Sequence, residues 1–153
     1  MRPRIYTDTS AIGGCIDVEF SRPSSQLFEW FRKGQAVLVI SDLTLLELQE
    51  APEAVQSLVE TVPPEHREMV SFNDQANELA EMYLAEKVIG ASSLNDARHI
   101  ATATVHAVTV LVSWNFKHIV NLRRIHGYNS INVRYGFPML EIRTPKEVVE
   151  YDE

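Results

Sequence analysis

Four polar side chains stand close to short apolar runs that have the length of buried strands. Asp8 follows the first run, Glu47 follows the second, Asp96 precedes the third, and Asn115 follows the third. Ligands of open α/β sheets bind at the carboxyl ends of the strands, so Asp8, Glu47 and Asp96 are expected to converge on one cleft. Converging carboxylates repel one another, and such a cleft therefore needs a counter-charge.

A divalent cation is the counter-charge that suits this cleft. Carboxylate oxygens are hard ligands, which favour Mg²⁺ or Mn²⁺. In a phosphodiester hydrolase such an ion activates water and stabilises the charge that develops on the phosphorus and on the leaving oxygen. The pattern thus predicts metal-dependent cleavage of a phosphodiester.

Each acid also has a purely structural interpretation. Asp8 has the residue type of a helix N-cap. The segments Thr44-x-x-Glu47 and Ser93-x-x-Asp96 fit the capping box, in which the first and fourth residues satisfy the free amides of a helix start. Only the joint placement of the three acids favours a site over three caps.

Other catalytic chemistries have weaker support. Cys15 has no histidine near it in the sequence, and neither a nucleophile elbow nor a glycine pattern of nucleotide-binding loops is present. Gly13-Gly14 is better explained as a loop. A phosphatase with Asp8 as nucleophile is an alternative, although Ser10 stands where that class has a second aspartate.

The charge distribution favours a polyanionic partner despite a net charge of −7. No acidic residue occurs from Ala97 to Leu140, and the five basic residues there are accompanied by four histidines. A local excess of positive charge attracts phosphate even on an acidic protein. A solvated face that lacks acids by chance is the alternative.

The elements that must position these residues alternate between strands and helices. Continuous apolar runs predict strands at 5–6, 37–40 and 108–112, with a further short strand at 140–142. Apolar residues at helical spacing predict helices at 24–33, 43–49, 76–88, 95–106 and 117–125. A short helix lies between Pro52 and Pro63, a last helical turn follows Pro145, and Gly34 and Gly127 are expected stops.

Alternating strands and helices predict an α/β fold with a mostly parallel central sheet covered on both faces. The 153 residues, 45% of them hydrophobic and 23% charged, fit one domain over residues 1–153. One cysteine excludes an internal disulfide framework and a cysteine-based zinc cluster. The absence of a leader pattern and of a long apolar run predicts a cytoplasmic protein without a membrane partner.

The sequence resembles the PIN-domain ribonucleases, in particular the VapC-type toxins of toxin–antitoxin pairs. Four short segments in matching order carry the resemblance: Tyr6-Thr7-Asp8-Thr9-Ser10, Ser41-Asp42-Leu43-Thr44-Leu45-Leu46-Glu47-Leu48, Asn95-Asp96-Ala97-Arg98-His99-Ile100-Ala101-Thr102-Ala103 and Leu111-Val112-Ser113-Trp114-Asn115. The resemblance implies a three-layer α/β/α sandwich. It places the family's metal-binding acids at Asp8, Glu47 and Asp96, with a supporting hydroxyl at Ser10.

Asn115 is the main departure from the family pattern, which usually has a fourth acid at this position. An amide supplies a carbonyl oxygen without charge, so a second Mg²⁺ is expected to bind less tightly. The segment after Asn115 also lacks a second acid that family members often show there. Its basic residues are expected to meet phosphates instead.

The resemblance implies a Mg²⁺- or Mn²⁺-dependent endoribonuclease that acts as a toxin, forms a homodimer and is blocked by a cognate antitoxin protein. The alternative is a PIN-fold module that binds RNA or a protein and cleaves weakly or not at all, because Asn115 replaces the fourth acid. We expect catalysis to depend on Asp8, Glu47, Asp96 and Asn115, with Ser10 and Ser113 in support. The residues expected to contact RNA are Arg98, Lys117, His118, Arg123 and Arg124.

Overall fold

The centre of the molecule is a sheet of five parallel strands, seen in a computed structural model that describes residues 2–150. Met1 and residues 151–153, the ends of the predicted domain, lie outside the described residues. Across the sheet the strand order is β3-β2-β1-β4-β5. The strands are β1 (Arg4–Thr7), β2 (Val37–Ser41), β3 (Arg67–Val70), β4 (Val110–Val112) and β5 (Ile142–Arg143).

Helices connect the strands and cover both faces of the sheet. They are α1 (Thr9–Gly13), α2 (Ser21–Arg32), α3 (Asp42–Gln49), α4 (Glu53–Glu60), α5 (Asp74–Ala85), α6 (Leu94–Val105), α7 (Leu122–Arg134) and α8 (Pro145–Glu150). Short 3₁₀ turns occur at Gly14–Ile16, Pro64–His66 and Ala91–Ser93.

Alternate residues of the strands pack into two hydrophobic cores, one on each face of the sheet. Tyr6, Val39 and Leu111 pack with residues of α5, α6 and α7 on one face. Ile5 and Leu38 point to the other face and pack with residues of α1, α2, α3, α4 and α8. Because each strand buries both sets of side chains, it reads as a continuous apolar run. The predicted three-layer α/β/α sandwich is confirmed.

The element predictions hold best where an apolar run is unbroken. Strands β1 and β2, and helices α2 to α6, lie within a few residues of their predicted positions, and Gly34 ends α2 with a positive φ of 76°. The third run becomes a strand only from Val110, since 107–109 belong to the turn that ends α6. In that turn Ala107 has a φ of 51° and the Val108 amide donates to the Ala103 carbonyl.

The helix predicted at 117–125 is wrong in both boundaries. Helix α7 begins at Leu122, where the Asn121 side chain accepts a hydrogen bond from the Arg124 amide and caps the first turn. The helix then passes through Gly127 and continues to Arg134. Glycine suits this position of the helix because a Cβ at residue 127 would lie only 2.7 Å from Val88 Cγ1. It marks a close helix contact rather than a stop.

Both predicted capping boxes are wrong, although a capping box does start α3. Ser41 is the N-cap of α3, and its hydroxyl and the Thr44 side chain satisfy each other's backbone amides. Thr44 is therefore the fourth residue of the box rather than the first, and Glu47 takes no part in it. At the start of α6, the Ser93 side chain makes no capping hydrogen bond. Glu47 and Asp96 are thus free of the structural roles that competed with a site.

Candidate active site

Parallel pairing brings the ends of β1, β2 and β4 to one edge of the sheet. Asp8 directly follows β1, Glu47 lies on α3 after β2, and Asn115 lies three residues after β4. Asp96 reaches the same edge from the first turn of α6. The four residues that the sequence singled out therefore lie at one edge, linked by the contacts described below.

Asp8 is both a helix cap and a site carboxylate. Its Oδ1 accepts hydrogen bonds from the Ala11 amide at 2.9 Å and from Ser10 Oγ at 2.7 Å, so the predicted N-cap is confirmed. The side chain is nearly fully buried. Burial raises the pKa of Asp8, and the hydrogen bonds from Ser113, Ser10 and Ala11 reduce this shift without cancelling it. A charged Asp8 therefore lacks a sufficient counter-charge within the protein.

Two serine hydroxyls join the ends of β1 and β4. Ser10 Oγ lies 3.3 Å from Ser113 Oγ and accepts a hydrogen bond from the Trp114 amide at 2.9 Å. Ser113 Oγ in turn accepts from the Asn115 amide at 2.9 Å. These contacts fix Asn115 relative to Asp8, and the supporting role of Ser10 and Ser113 in a site remains a prediction.

Glu47 is held by donors from two other elements. Its Oε1 accepts from Thr9 Oγ1 at 2.6 Å and lies 2.9 Å from His99 Nε2, while Oε2 accepts from the Asn95 amide group. Burial acts to raise the pKa of Glu47, but the His99 contact and the bonds from Thr9 and Asn95 outweigh it and lower the pKa overall. Glu47 is thus fixed as a carboxylate in one orientation.

His99 extends this contact into the core, a feature that sequence reasoning missed. The imidazole is buried, and its Nδ1 lies 2.6 Å from the Tyr6 hydroxyl, which lies 2.8 Å from Ser41 Oγ. Burial raises the pKa of the Tyr6 hydroxyl well above its usual range, so Tyr6 carries a proton to donate. The two ring nitrogens of His99 therefore connect the Glu47 carboxylate to the Tyr6 hydroxyl. Hydrogen bonds thus run without a break from Glu47 through His99 and Tyr6 to Ser41.

Asn115 faces Asp96 through its amide group. Its Nδ2 donates to Asp96 Oδ2 at 3.4 Å, while its Oδ1 accepts from the amides of Lys117 and His118 at 3.2 and 3.0 Å. Burial raises the pKa of Asp96, and nearby Glu47 adds to this, whereas His118 and His99 act in the opposite direction. The amide at position 115 thus donates to a carboxylate that burial makes costly to charge.

The donor chemistry of the cleft fits a divalent metal ion, although a ready-made set of three ligands is not present. Within residues 2–150, no group of three His, Cys, Asp or Glu side chains is arranged to hold a metal ion. Both oxygens of Glu47 already accept hydrogen bonds, whereas buried Asp8 and half-buried Asp96 are carboxylates with raised pKa values. Mg²⁺ in phosphate chemistry is held by one or two carboxylates together with waters and the substrate. Asp8 and Asp96 match that pattern.

The predicted RNA-binding residues separate into three places. Lys117, Arg123 and Arg124 line one groove beside α7. His118 lies near Asp96, and its Nδ1 is buried without a hydrogen-bond partner among residues 2–150. Arg98 lies elsewhere, with its guanidinium 5.3 Å from the centre of the Phe72 ring. The structure therefore groups three of the five cations.

An aromatic cluster flanks Asn115, and sequence reasoning missed it. Trp114 stacks on Phe20 with ring centres 4.2 Å apart, and its indole donates to Ser24 Oγ at 2.8 Å. Phe116 lies 6.1 Å from the Trp114 ring and is 52% exposed. The two aromatic neighbours of Asn115 were the only signal in the sequence.

The fold is similar to that of VapC toxins whose structures have been solved. A structure of VapBC2 from Rickettsia felis, bound to a DNA fragment from its promoter, matches with a TM-score of 0.55 and 16% identity over 92% of this chain and 98% of the other. Mycobacterium tuberculosis VapC20, a toxin that cleaves the sarcin–ricin loop, matches with a TM-score of 0.54 and 14% identity over 90% and 98%. Identities this low establish the fold alone.

Comparison of the sequence itself gives no further assignment. No family model matches the chain, and no curated protein matches it. None of the helices in the described part of the chain has the length and apolar character needed to span a membrane.

Proposed function

We propose that this protein is a Mg²⁺- or Mn²⁺-dependent endoribonuclease and the toxin of a toxin–antitoxin pair. One observation carries the proposal: in a VapC-type fold, Asp8, Glu47 and Asp96 lie at the same edge of the sheet and are joined by hydrogen-bonded neighbours. The cytoplasm is the proposed compartment, with RNA as substrate.

Asp8 and Asp96 are the residues that would hold the metal ion. A bound Mg²⁺ or Mn²⁺ would lower the pKa of water and stabilise charge on the phosphate. The raised pKa values of Asp8 and Asp96 show that charging either carboxylate is costly, and a bound cation would offset this cost. Ser10 and Ser113 keep Asp8 in place.

Glu47 would help to orient the attacking water. Its lowered pKa keeps it ionised at neutral pH, and the bonds from Thr9, Asn95 and His99 hold it in one rotamer. A carboxylate that is already held in place contributes to catalysis because no conformational entropy is lost in orienting it during the reaction. Asn115 would direct its amide protons at Asp96 and at a phosphate oxygen.

Cleavage of RNA in the presence of Mg²⁺ or Mn²⁺, compared with EDTA, tests the proposal. Asp96→Asn is expected to abolish cleavage, because it removes a charge that would hold the metal ion. Asp74→Asn is the matched control, since it makes the same change at an exposed residue of α5 that has no hydrogen bond to the four candidate site residues. Equal cleavage by the wild type and by Asp96→Asn would contradict the proposal.

A binding module without nuclease activity is the second candidate, and the Asn115–Asp96 hydrogen bond favours it. In this bond the Asn115 amide donates to Asp96. A carboxylate at position 115 would instead add negative charge to the cleft. Metal-independent RNA binding without cleavage under any tested metal would select this candidate.

The antitoxin is a proposal that rests on the likeness to the VapBC2 structure, and the homodimer is a proposal that rests on the resemblance of the sequence segments to VapC-type toxins. Expression of the protein is expected to arrest growth, and co-expression of a protein encoded by the neighbouring reading frame is expected to restore it. Asp96→Asn provides the control, since a variant without cleavage should not arrest growth. Mass measurement in solution tests the dimer.

A further inference from the structure

A groove of about 640 Å³ beside α7 is lined by four basic side chains. Lys117, Arg123 and Arg124 come from the acid-free stretch, and Lys87 comes from the turn that follows α5. Lys87 was not among the residues that sequence reasoning connected with phosphate. The folded chain therefore assembles a larger cationic surface than the sequence pattern indicated.

Two contacts bring the Lys87 turn against α7. Gly127 has no side chain at the position where a Cβ would collide with Val88, so the helix approaches this turn closely. Arg124 Nη1 donates to the Val88 carbonyl at 2.6 Å. Arg124 thus holds the wall of the groove and still presents its remaining N–H groups, since a guanidinium has five donors.

The backbone at Lys87 is of a kind that favours glycine. The φ of Lys87 is 61°. The Lys87 amide donates to the Leu84 carbonyl and the Val88 amide to the Tyr83 carbonyl, each at 3.0 Å. This pair of hydrogen bonds is typical of a helix end at which glycine takes the left-handed position. A side chain in this left-handed conformation costs stability. The lysine therefore needs an explanation beyond local structure, and its position in the groove supplies one.

The groove keeps an excess of positive charge. Glu86, its one carboxylate, pairs with Arg134 at 2.5 Å. Within residues 2–150, no acidic side chain forms an ion pair with Lys87, Lys117 or Arg123. Unpaired charges of one sign around a groove raise the local concentration of anions, and guanidinium groups bind phosphate in a bidentate manner.

The groove adjoins the candidate active site. Lys117 lines it, and the Lys117 amide donates to the side chain of Asn115. We infer that this groove binds the phosphate backbone of the RNA strand on one side of the bond to be cleaved, with Lys87 and Arg123 each contacting a phosphate. RNA as the polymer rests on the proposed function, whereas the anion chemistry rests on the groove itself.

Equilibrium binding of a short single-stranded RNA in EDTA, over a series of salt concentrations, tests the inference. Lys87→Gln and Arg123→Gln are each expected to weaken binding and to reduce the log–log salt slope by about 0.7. Lys33→Gln is the matched control, because Lys33 is exposed at the end of α2 and does not line the groove. Unchanged slopes in both groove variants would overturn the inference.

Lys87→Gly separates the role in binding from the effect on folding. Glycine suits a φ of 61°, so the melting temperature is expected to rise while RNA affinity falls. A lysine that served only the fold would give no loss of affinity. Loss of affinity together with a lower melting temperature would point to damage of the turn and would count against the inference.

Competitors identify the ligand. Tripolyphosphate and a glutamate-rich peptide are each titrated against the bound RNA. The inference expects both to compete weakly, because neither matches a spaced row of phosphodiesters. Displacement by tripolyphosphate at the concentration of the RNA itself would indicate a small-anion site, and equally strong displacement by the peptide would indicate an acidic protein partner. None of these experiments requires cleavage. If the protein does not cleave RNA but binds it with the expected salt dependence, the proposed nuclease activity is refuted and the inference about the groove is retained.

Discussion

His99 Nε2 lies 2.9 Å from Glu47 Oε1, and this contact joins the candidate active site to the centre of the sheet. The imidazole receives its own support from Tyr6, whose hydroxyl is in turn 2.8 Å from Ser41 Oγ. The orientation of Glu47 is therefore set by residues of β1, β2 and α6 together. A substitution at any of these residues should therefore alter the orientation of the Glu47 carboxylate.

The first prediction concerns the coupling within this chain. His99→Ala removes a partner from both Glu47 and Tyr6 and leaves a cavity, so the free energy of unfolding is expected to fall by about 2–4 kcal/mol. Tyr6→Phe removes one hydroxyl and is expected to cost about 1–3 kcal/mol. Urea unfolding of both variants and of the double variant measures the coupling. Because the groups share partners, the two losses should not add.

Tyr135→Phe is the control for this experiment, since Tyr135 is 48% exposed and its hydroxyl makes no hydrogen bond among the described residues. Its loss is expected to stay within about 0.5 kcal/mol. If the losses in unfolding free energy for His99→Ala and Tyr6→Phe are strictly additive, the hydrogen bonds of His99 and Tyr6 are not coupled.

The second prediction concerns metal binding at Asp8. Mn²⁺ is expected to raise the melting temperature of the wild type relative to EDTA, because a ligand of the native state stabilises it. Asp8→Asn should show a smaller rise. In EDTA this variant should be at least as stable as the wild type, since it removes a buried charge that the protein does not compensate. Asp74→Asn should keep the full response, and an equal response in Asp8→Asn would remove Asp8 from the metal site.

The third prediction is that Asp8 and Glu47 affect the pH dependence of stability with opposite sign. The pKa of Asp8 is raised from 3.8, so the native state retains this proton longer and stability falls as pH rises above that value. The pKa of Glu47 is lowered from 4.5, so its contribution is present above that value and is lost as pH falls through the folded pKa.

Urea unfolding in EDTA, from acidic pH to neutrality, measures both effects. With rising pH, Asp8→Asn should gain stability relative to the wild type, whereas Glu47→Gln should lose it. The same trend in both variants would mean that one of the two environments is assigned wrongly.

The fourth prediction concerns Asn115→Asp. The new carboxylate would face Asp96 at the 3.4 Å separation now spanned by the amide, so stability in EDTA is expected to fall. Affinity for Mn²⁺ is expected to rise, because a charge a few ångströms from a divalent ion contributes on the order of a few kcal/mol before desolvation is subtracted. Calorimetric titration and the cleavage rate are measured on the same variant.

The two measurements distinguish the roles of Asn115. A higher cleavage rate at low Mg²⁺ means that the missing charge limits the wild type. A lower rate with tighter metal binding means that the amide contacts the phosphate, which a carboxylate would repel. If neither quantity changes, Asn115 lies outside the site.

The sequence predicts those elements whose burial is visible in the residue pattern. Strand β2 is an unbroken apolar run because both of its faces are covered. Strand β3 was missed because Arg67 and Glu68 stand in an edge strand, where Arg4 forms an ion pair with Glu68 across the sheet at 2.6 Å. Charged side chains are common on such edges and hide the strand.

The placement of the acids at one sheet edge was predictable, but their partners were not. Asp8 follows its strand directly, so the strand end fixes its location. His99 looked like part of a basic stretch, and its contacts come from residues 52 and 93 positions away. Lys87 gave no signal either, because the close approach of Val88 to Gly127 is a property of the packed helices.

The position of β1 in the middle of the sheet governs when the candidate site comes into being during synthesis. This strand precedes β2 and β4 in the chain, yet it pairs on one side with β2 and on the other with β4, which begins at Val110. Contacts between such distant segments form late and slow the folding of a chain. Until the segment that ends in Asn115 has left the ribosome, Asp8 has no β4 beside it. A chain that stops before Asn115 therefore carries Asp8, Glu47 and Asp96 without the complete cleft, and any activity of this site requires the segment through Asn115.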